Sequence, residues 1–183
     1  MRFATFALGT MFFVATLALA ADPIDPAGRS YELTGMISGK ALGTRSKGEG
    51  TGILRFGPDT GLADGAFSVL LNDGATVVDV RGTWEPNARG RLVCTIDTAD
   101  LLDQLDDIYG LAYDSYFDSV LPGATWDQEV KKAKVKVRLK TKKGVEMATV
   151  RVKWKSYASA ELEGTKKGIK ATISFRSAGP RTK

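Results

Sequence analysis

The chain contains no histidine and a single cysteine among its 183 residues, and these shortages exclude several classes of site. Imidazole is the usual general base near neutral pH and the commonest metal ligand, so no histidine-based triad and no histidine-ligated zinc site can form. One thiol, Cys94, cannot close an intramolecular disulfide, form a CxxC redox pair or hold an iron–sulfur cluster. The stability of the fold must therefore come from its hydrophobic core.

Long hydrophobic runs are also scarce, and the one present stands at the start of the chain. Arg2 is followed by an apolar run over residues 3–19, and Ala18-Leu19-Ala20 fits the small-x-small pattern read by signal peptidase. The run is at or below the roughly 18 to 20 apolar residues that a membrane span needs. We therefore predict a signal peptide at residues 1–20 and one exported domain at 21–183, periplasmic or secreted, without a transmembrane segment.

Alternation with period two dominates the mature chain. Apolar and polar residues alternate over residues 132–140 and again over 149–155, which predicts two strands with one buried and one solvated face. Lys142-Lys143-Gly144 between them predicts a hairpin turn, whereas the glycine-rich segment 43–52 is typical of a loop. The inward residues of the two strands are predicted to be Val135, Val137, Val150 and Val152. With the segments 31–38, 52–56, 66–71, 76–84, 91–96, 157–163 and 169–175, the sequence predicts about nine strands.

Between the two sets of strands the hydrophobic period changes to about 3.6. Leu101, Leu105 and Ile108 form one apolar stripe, so we predict a helical insertion at 98–121. Gly110 is expected to end a first helix, with a second short helix before the break at Pro122-Gly123.

Antiparallel strands leave exposed edges unless the sheet closes or folds into two layers. We therefore predict a mainly β fold, which is either an antiparallel barrel-like structure or a two-layer sheet, carrying the helical insertion. Gly82-Thr83-Trp84 resembles the G-x-W signature of the lipocalins, small exported barrels that hold hydrophobic ligands. In that family the triplet lies on the first strand, whereas three predicted strands precede it here. The resemblance therefore implies a lipocalin-like or calycin-like barrel at the level of fold only.

Charge is divided unevenly along the chain. Residues 131–183 include 17 basic and 3 acidic residues, whereas residues 21–130 include 8 basic and 18 acidic residues. On the predicted strands the cations fall on the polar phase, so neighbouring strands present them on one face. Water and salt, the helical residues Asp100, Asp103 and Asp107, or an external polyanion are the three available sources of compensation. The candidate polyanion-binding residues are Lys132, Lys134, Lys136, Arg138, Lys140, Arg151, Lys153 and Lys155.

An anionic envelope polymer, such as an acidic polysaccharide or lipopolysaccharide phosphate, is the kind of partner this face predicts. Nucleic acid is disfavoured because no ladder of exposed aromatic residues accompanies the cations.

Aromatic residues are concentrated in and just after the helical insertion. An aromatic lid over the mouth of a β-barrel is one way to enclose an apolar ligand, and packing of the helix on the sheet is the alternative. The candidate ligand-binding residues are Tyr109, Tyr113, Tyr116, Phe117 and Trp126.

The leading functional hypothesis is an exported binding protein that holds a small apolar or amphipathic ligand in the barrel or under the helix. The alternative is an envelope-associated module that binds an anionic polymer through its Lys and Arg residues. A hydrolase without histidine is the second alternative, but it needs two carboxylates at a set separation and the sequence pairs none. We predict no enzymatic activity, no cofactor and no metal site.

Overall fold

The computed structural model describes residues 24–41, 43–87 and 91–182 of the chain. The predicted signal peptide at 1–20 lies outside the described residues, so it stays a prediction. Within the described ranges, no helix is both long enough and apolar enough to cross a membrane.

The strands form where the sequence alternates, because alternate side chains of a strand point to opposite faces of the sheet. Val135 and Val137 are 7% and 6% exposed, and each is flanked by exposed cations. The eight strands within the described ranges are β1 (Ser30–Ala41), β2 (Thr44–Phe56), β3 (Ala66–Asn72), β4 (Val77–Pro86), β5 (Leu92–Ile96), β6 (Trp126–Lys142), β7 (Val145–Leu162) and β8 (Thr165–Pro180).

All eight strands belong to one antiparallel sheet in the order β5-β4-β3-β2-β1-β8-β7-β6. Strands β1 to β5 form a first meander and β6 to β8 a second, and the pairing of β1 with β8 joins them. The two edge strands, β5 and β6, contact each other without a hydrogen-bonded ladder between their described residues. The sheet is therefore a nearly closed barrel, which confirms the predicted fold class and selects the barrel over the two-layer sheet.

Two parts of the strand prediction are wrong. The segments 149–155 and 157–163 form one continuous strand, β7, because Ser156 lies on the inner face and is only 4% exposed. The alternation of inner and outer residues along β7 therefore continues through Ser156, and no turn interrupts the strand. The segment 43–52 is also not a loop, since β2 begins at Thr44 and pairs with β1 along its whole length.

One helix, α1 (Thr98–Val120), connects β5 to β6. Its N-terminus is capped by Asp97, whose carboxylate accepts hydrogen bonds from the backbone N–H groups of Ala99 and Asp100 at 3.0 and 3.2 Å. Its start and end agree with the predicted insertion at 98–121.

The helix continues through Gly110, so the prediction of two helices is wrong. Tyr113 and Phe117 are buried like Leu101 and Leu105 of the first half. Burial of these two aromatic side chains outweighs the cost of about 1 kcal/mol that an internal glycine imposes on a helix.

Large side chains from both meanders fill the barrel interior. Tyr31 and Phe56 of the first meander and Phe175 of the second are fully buried, and the Tyr31 and Phe56 rings meet edge to face with centroids 6.5 Å apart. Val150 and Val152 are fully buried as predicted, beside the two valines of β6. The burial pattern therefore confirms the predicted inward faces of β6 and β7.

The Gly82-Thr83-Trp84 triplet lies on the fourth strand, β4, and has a local packing reason. A Cβ atom at Gly82 would lie 1.9 Å from the carbonyl oxygen of Thr95 on β5, so the close approach of the two strands requires glycine. Trp84 packs edge to face on Phe56 with ring centroids 5.8 Å apart.

Candidate functional site

The five predicted aromatic residues lie together where the second half of α1 meets the sheet. Tyr113 and Phe117 are 7% and 1% exposed, and Trp126 of β6 packs against both rings at centroid distances of 5.4 and 6.3 Å. The Trp126 indole N–H donates a hydrogen bond to Asp114. Tyr109 and Tyr116 are half-buried around the same cluster. The aromatic set packs the helix onto the sheet.

A small cavity lies beneath the first half of the helix. A cavity of about 40 Å³ lies beside Tyr109, between the helix and the inner side chains Trp154, Ile173 and Phe175. This volume compares with about 30 Å³ for one water molecule in the liquid. In this arrangement the cavity is too small for an apolar ligand of the predicted kind.

The predicted cations form one surface, which we call the basic face. The register of β6 with β7 sets three pairs of like charges directly opposite each other, and the remaining two cations lie opposite Thr149 and Met147. All eight side chains are exposed. The opposed pairs are Lys132 with Lys155, Lys134 with Lys153, and Lys136 with Arg151.

Acidic residues do not neutralise the basic face. Among the residues that the structure describes, none of its eight side chains forms an ion pair. The helical acids were one predicted source of compensation, but Asp100 lies 3.6 Å from Arg81 of β4, which is outside the basic face. Asp103 and Asp107 are exposed and form no ion pair. Within the described part of the chain, the cations of the face are therefore left without a carboxylate at ion-pair distance.

Two cations of β8 lie beside the basic face, on a third strand. Arg176 lies opposite Arg151, and Lys170 lies opposite Tyr157. Sequence reasoning missed both, because the pairing of β7 with β8 brings residues together that alternation assigns only to separate strands. The polar residues at every second position from Lys170 to Arg176 were the available sign that these side chains share one outward face.

A second surface feature lies where the barrel does not close. A groove of about 610 Å³ runs between β5 and β6, and we call it the seam groove. Its apolar lining includes Leu92, Cys94 and Leu139, and the cations Arg91 and Arg138 also line it. Burial raises the pKa of the Cys94 thiol to about 12, so the thiol is protonated at neutral pH. Apolar and cationic groups thus meet in one groove.

Metal ligands are not brought together in the described part of the chain. Within residues 24–41, 43–87 and 91–182, no group of three or more acidic or cysteine side chains is placed to hold a metal ion. The Glu146 carboxylate contacts Arg29, Tyr31 and Arg181.

Comparison with known proteins adds little. No family model and no curated protein matches the chain. Among solved structures, the chain is similar to a DUF1329 family protein from Desulfovibrio piger, with 9% sequence identity and a TM-score of 0.22 over 85% of this chain and 87% of that one. A likeness this weak carries no argument about function. The barrel-like fold itself is compatible with a binding protein.

Proposed function

We propose that the protein is an exported, non-catalytic binding protein that docks on an anionic polymer of the cell envelope through the basic face. The observation that carries the proposal is the set of three directly opposed cation pairs without an acidic partner. Like charges that face each other across a strand pair destabilise a sheet, whereas opposite charges stabilise it. A polyanion supplies the missing charge.

The geometry of a sheet suits a linear polymer. Neighbouring strands lie about 4.8 Å apart, and same-face residues repeat about every 6.7 Å along a strand. The basic face is therefore a narrow grid of positive charges two strands wide and five residues long on its β6 side. A chain with one anionic group per repeating unit contacts several of these cations at once, and each neutralised charge releases a counterion.

Salt dependence and charge reversal test this proposal. Retention on immobilised polyphosphate is expected to fall steeply between 50 and 500 mM NaCl, since screening shortens the reach of exposed charges to about 10 Å at 0.1 M. Reversing the charges in the centre of the face is expected to abolish retention at every salt concentration. The variant is Lys134→Glu, Lys136→Glu, Lys153→Glu and Lys155→Glu combined.

A matched control separates the basic face from net charge. Combining Lys47→Glu, Lys142→Glu, Lys166→Glu and Lys167→Glu changes the net charge equally, but all four lysines are exposed and lie outside the basic face. The control is expected to keep most of the retention of the wild type. Equal loss in both variants contradicts a specific face, and weak retention of the wild type at low salt contradicts the proposal.

The seam groove favours a second candidate function, the binding of an amphipathic anionic molecule. Its volume of about 610 Å³ falls within the range of about 300 to 1,000 Å³ that is usual for ligand pockets. An alkyl chain lies against Leu92 and Leu139 in this interpretation, and its anionic head group contacts Arg91 or Arg138. This candidate places the predicted small ligand between the sheet edges rather than under the helix.

Cys94 marks the seam groove because it is the single cysteine of the chain and lines the groove. Since its thiol is protonated at neutral pH and reacts slowly with alkylating reagents, the readout is the NMR signal of its backbone amide in ¹⁵N-labelled protein. Laurate is expected to shift the amide signals of Leu92, Cys94 and Leu139 at lower concentrations than octyl glucoside, which has no charge. Signals that laurate leaves unchanged contradict this second candidate.

A further inference from the structure

The pairing of β6 with β7 contains one irregularity on the outer surface. The register shifts between Val130 and Lys132, so Lys131 is an extra residue without a partner on β7. A bulge of this kind re-aims the side chains next to it. Lys131 is exposed and forms an ion pair with Glu129, which itself lies opposite Tyr157.

Beside the bulge lies a shallow depression of about 440 Å³, which we call the bulge pocket. Lysines from three adjacent strands surround it: Lys131 of β6, Lys155 of β7 and Lys170 of β8. Tyr157 and Thr172 supply two hydroxyl groups, and Ala171 completes the lining. The bulge pocket therefore combines three ammonium groups with one aromatic ring.

The position of Tyr157 depends on a glycine of the neighbouring strand. A Cβ atom at Gly168 would lie 2.2 Å from the Tyr157 hydroxyl oxygen and 2.6 Å from Cζ. The phenol end of the ring therefore occupies the space that any larger residue at Gly168 would fill. The ring is half-buried, so part of it remains accessible from the pocket.

We propose that the bulge pocket binds a phosphorylated hexose unit, with the sugar ring against Tyr157 and the phosphate among the three lysines. Lysine ammonium groups bind phosphate oxygens through charge-assisted hydrogen bonds. The electron-rich face of an aromatic ring attracts the weakly positive C–H groups of a sugar. The Thr172 hydroxyl, which also lines the pocket, accepts a hydrogen bond from a sugar hydroxyl. This inference rests on the proposed function and names the repeating unit that the basic face recognises.

Titration of ¹⁵N-labelled protein followed by NMR tests the pocket with three probes: glucose 6-phosphate, glucose and inorganic phosphate. The wild type is expected to bind glucose 6-phosphate about three- to tenfold more tightly than inorganic phosphate, which is the range an aromatic contact contributes. Glucose alone is expected to bind most weakly. Equal affinity for glucose 6-phosphate and inorganic phosphate overturns the proposal, because the ring then contributes nothing.

Two variants remove the contact with the ring by different routes. Tyr157→Ala deletes the ring, and Gly168→Ala keeps every binding group but pushes the ring out of its place. Both are expected to reduce the affinity for glucose 6-phosphate to that for inorganic phosphate. Gly48→Ala is the matched control, because a Cβ atom at this strand glycine would meet nothing within 4 Å. Unchanged preference in both variants overturns the proposal.

Retention on polyphosphate separates this inference from the proposed function. Tyr157→Ala and Gly168→Ala leave all eight cations of the basic face in place, so both are expected to retain wild-type binding to polyphosphate. Preference for the sugar phosphate without retention on polyphosphate supports the bulge pocket and contradicts the extended face. Retention without that preference contradicts the bulge pocket alone.

Discussion

The two meanders of the barrel have similar inner faces and different outer faces. In the first meander the outward Arg81 is flanked by acids, with Asp79 at 2.8 Å and Asp100 of the helix at 3.6 Å. In the second meander, the eight cations of the basic face form no ion pair within the part of the chain that the structure describes. Both inner faces bury aliphatic and aromatic side chains equally well.

This difference shows which part of the sequence the fold requires. Burial of apolar surface drives folding, and it is satisfied by the inner residues of both meanders. Unpartnered cations on an exposed surface do not contribute to the burial of apolar surface, and they repel each other across the strands. The charge of the second meander is therefore a feature that the fold tolerates rather than one that it needs.

The largest expected effect comes from comparing the inner and outer residues of one strand. Phe175 of β8 is fully buried, and the neighbouring Arg176 is exposed opposite Arg151. Phe175→Ala is expected to lower the free energy of unfolding in urea by about 3–5 kcal/mol, through lost burial and the cavity left behind. Arg176→Ala is expected to change it by less than about 0.5 kcal/mol. A large loss from Arg176→Ala would show that the outer cations stabilise the barrel.

A smaller effect is expected at Glu146, an acid of the second meander whose carboxylate contacts three other side chains. Glu146 of β7 accepts a hydrogen bond from the Tyr31 hydroxyl at 2.6 Å and pairs with Arg29 and Arg181. Burial alone raises the pKa of Glu146, but hydrogen bonds from Tyr31 and Arg29 and the charges of Arg29 and Arg181 bring it below the usual range. Its contribution to stability is therefore complete above the unfolded pKa of about 4.3 and lost as the pH falls through the lower folded value.

Glu146→Gln tests this contribution. The substitution is expected to lower the free energy of unfolding by about 1–3 kcal/mol at pH 7, because two charged hydrogen bonds lose their acceptor charge. The difference from the wild type is expected to shrink as the pH falls below about 4.3, where the carboxyl of the unfolded chain takes up its proton, and to be lost once the folded carboxyl is protonated as well. Urea unfolding at several pH values measures it, and a difference independent of pH contradicts a role for the carboxylate charge.

The sequence predicts the inner faces because the alternation of Val135 and Val137 with lysines has only one stable orientation. It also predicts the extent of the helix, because the apolar stripe that begins at Leu101 must face the sheet and repeats with the helical period of about 3.6. Glycine misled the prediction in β2, where Gly52 marks close packing: a Cβ atom there would lie 2.5 Å from the carbonyl oxygen of Leu70. Local pattern does not distinguish such a glycine from one in a loop.

The candidate sites were less predictable, because they depend on contacts between distant segments. The cations of β6 were recognised, but their exact opposition to those of β7 needs the register, and the addition of Lys170 needs the pairing of β7 with β8. The bulge pocket depends on a register shift at Lys131 that nothing in the local sequence marks. The aromatic set was found, but whether it encloses a cavity or fills one is decided by side-chain packing.

Lys153→Glu is the most direct test of the basic face and is expected to change stability only slightly. Lys153 lies opposite Lys134 on one side and Ser174 on the other, so its reversal turns a repulsive pair into an attractive one. At low salt the free energy of unfolding is expected to rise by about 0.2–1 kcal/mol, while elution from immobilised polyphosphate shifts to lower salt. A more stable protein that binds less polymer is the result this account predicts. Unchanged elution, with or without a change in stability, would contradict it.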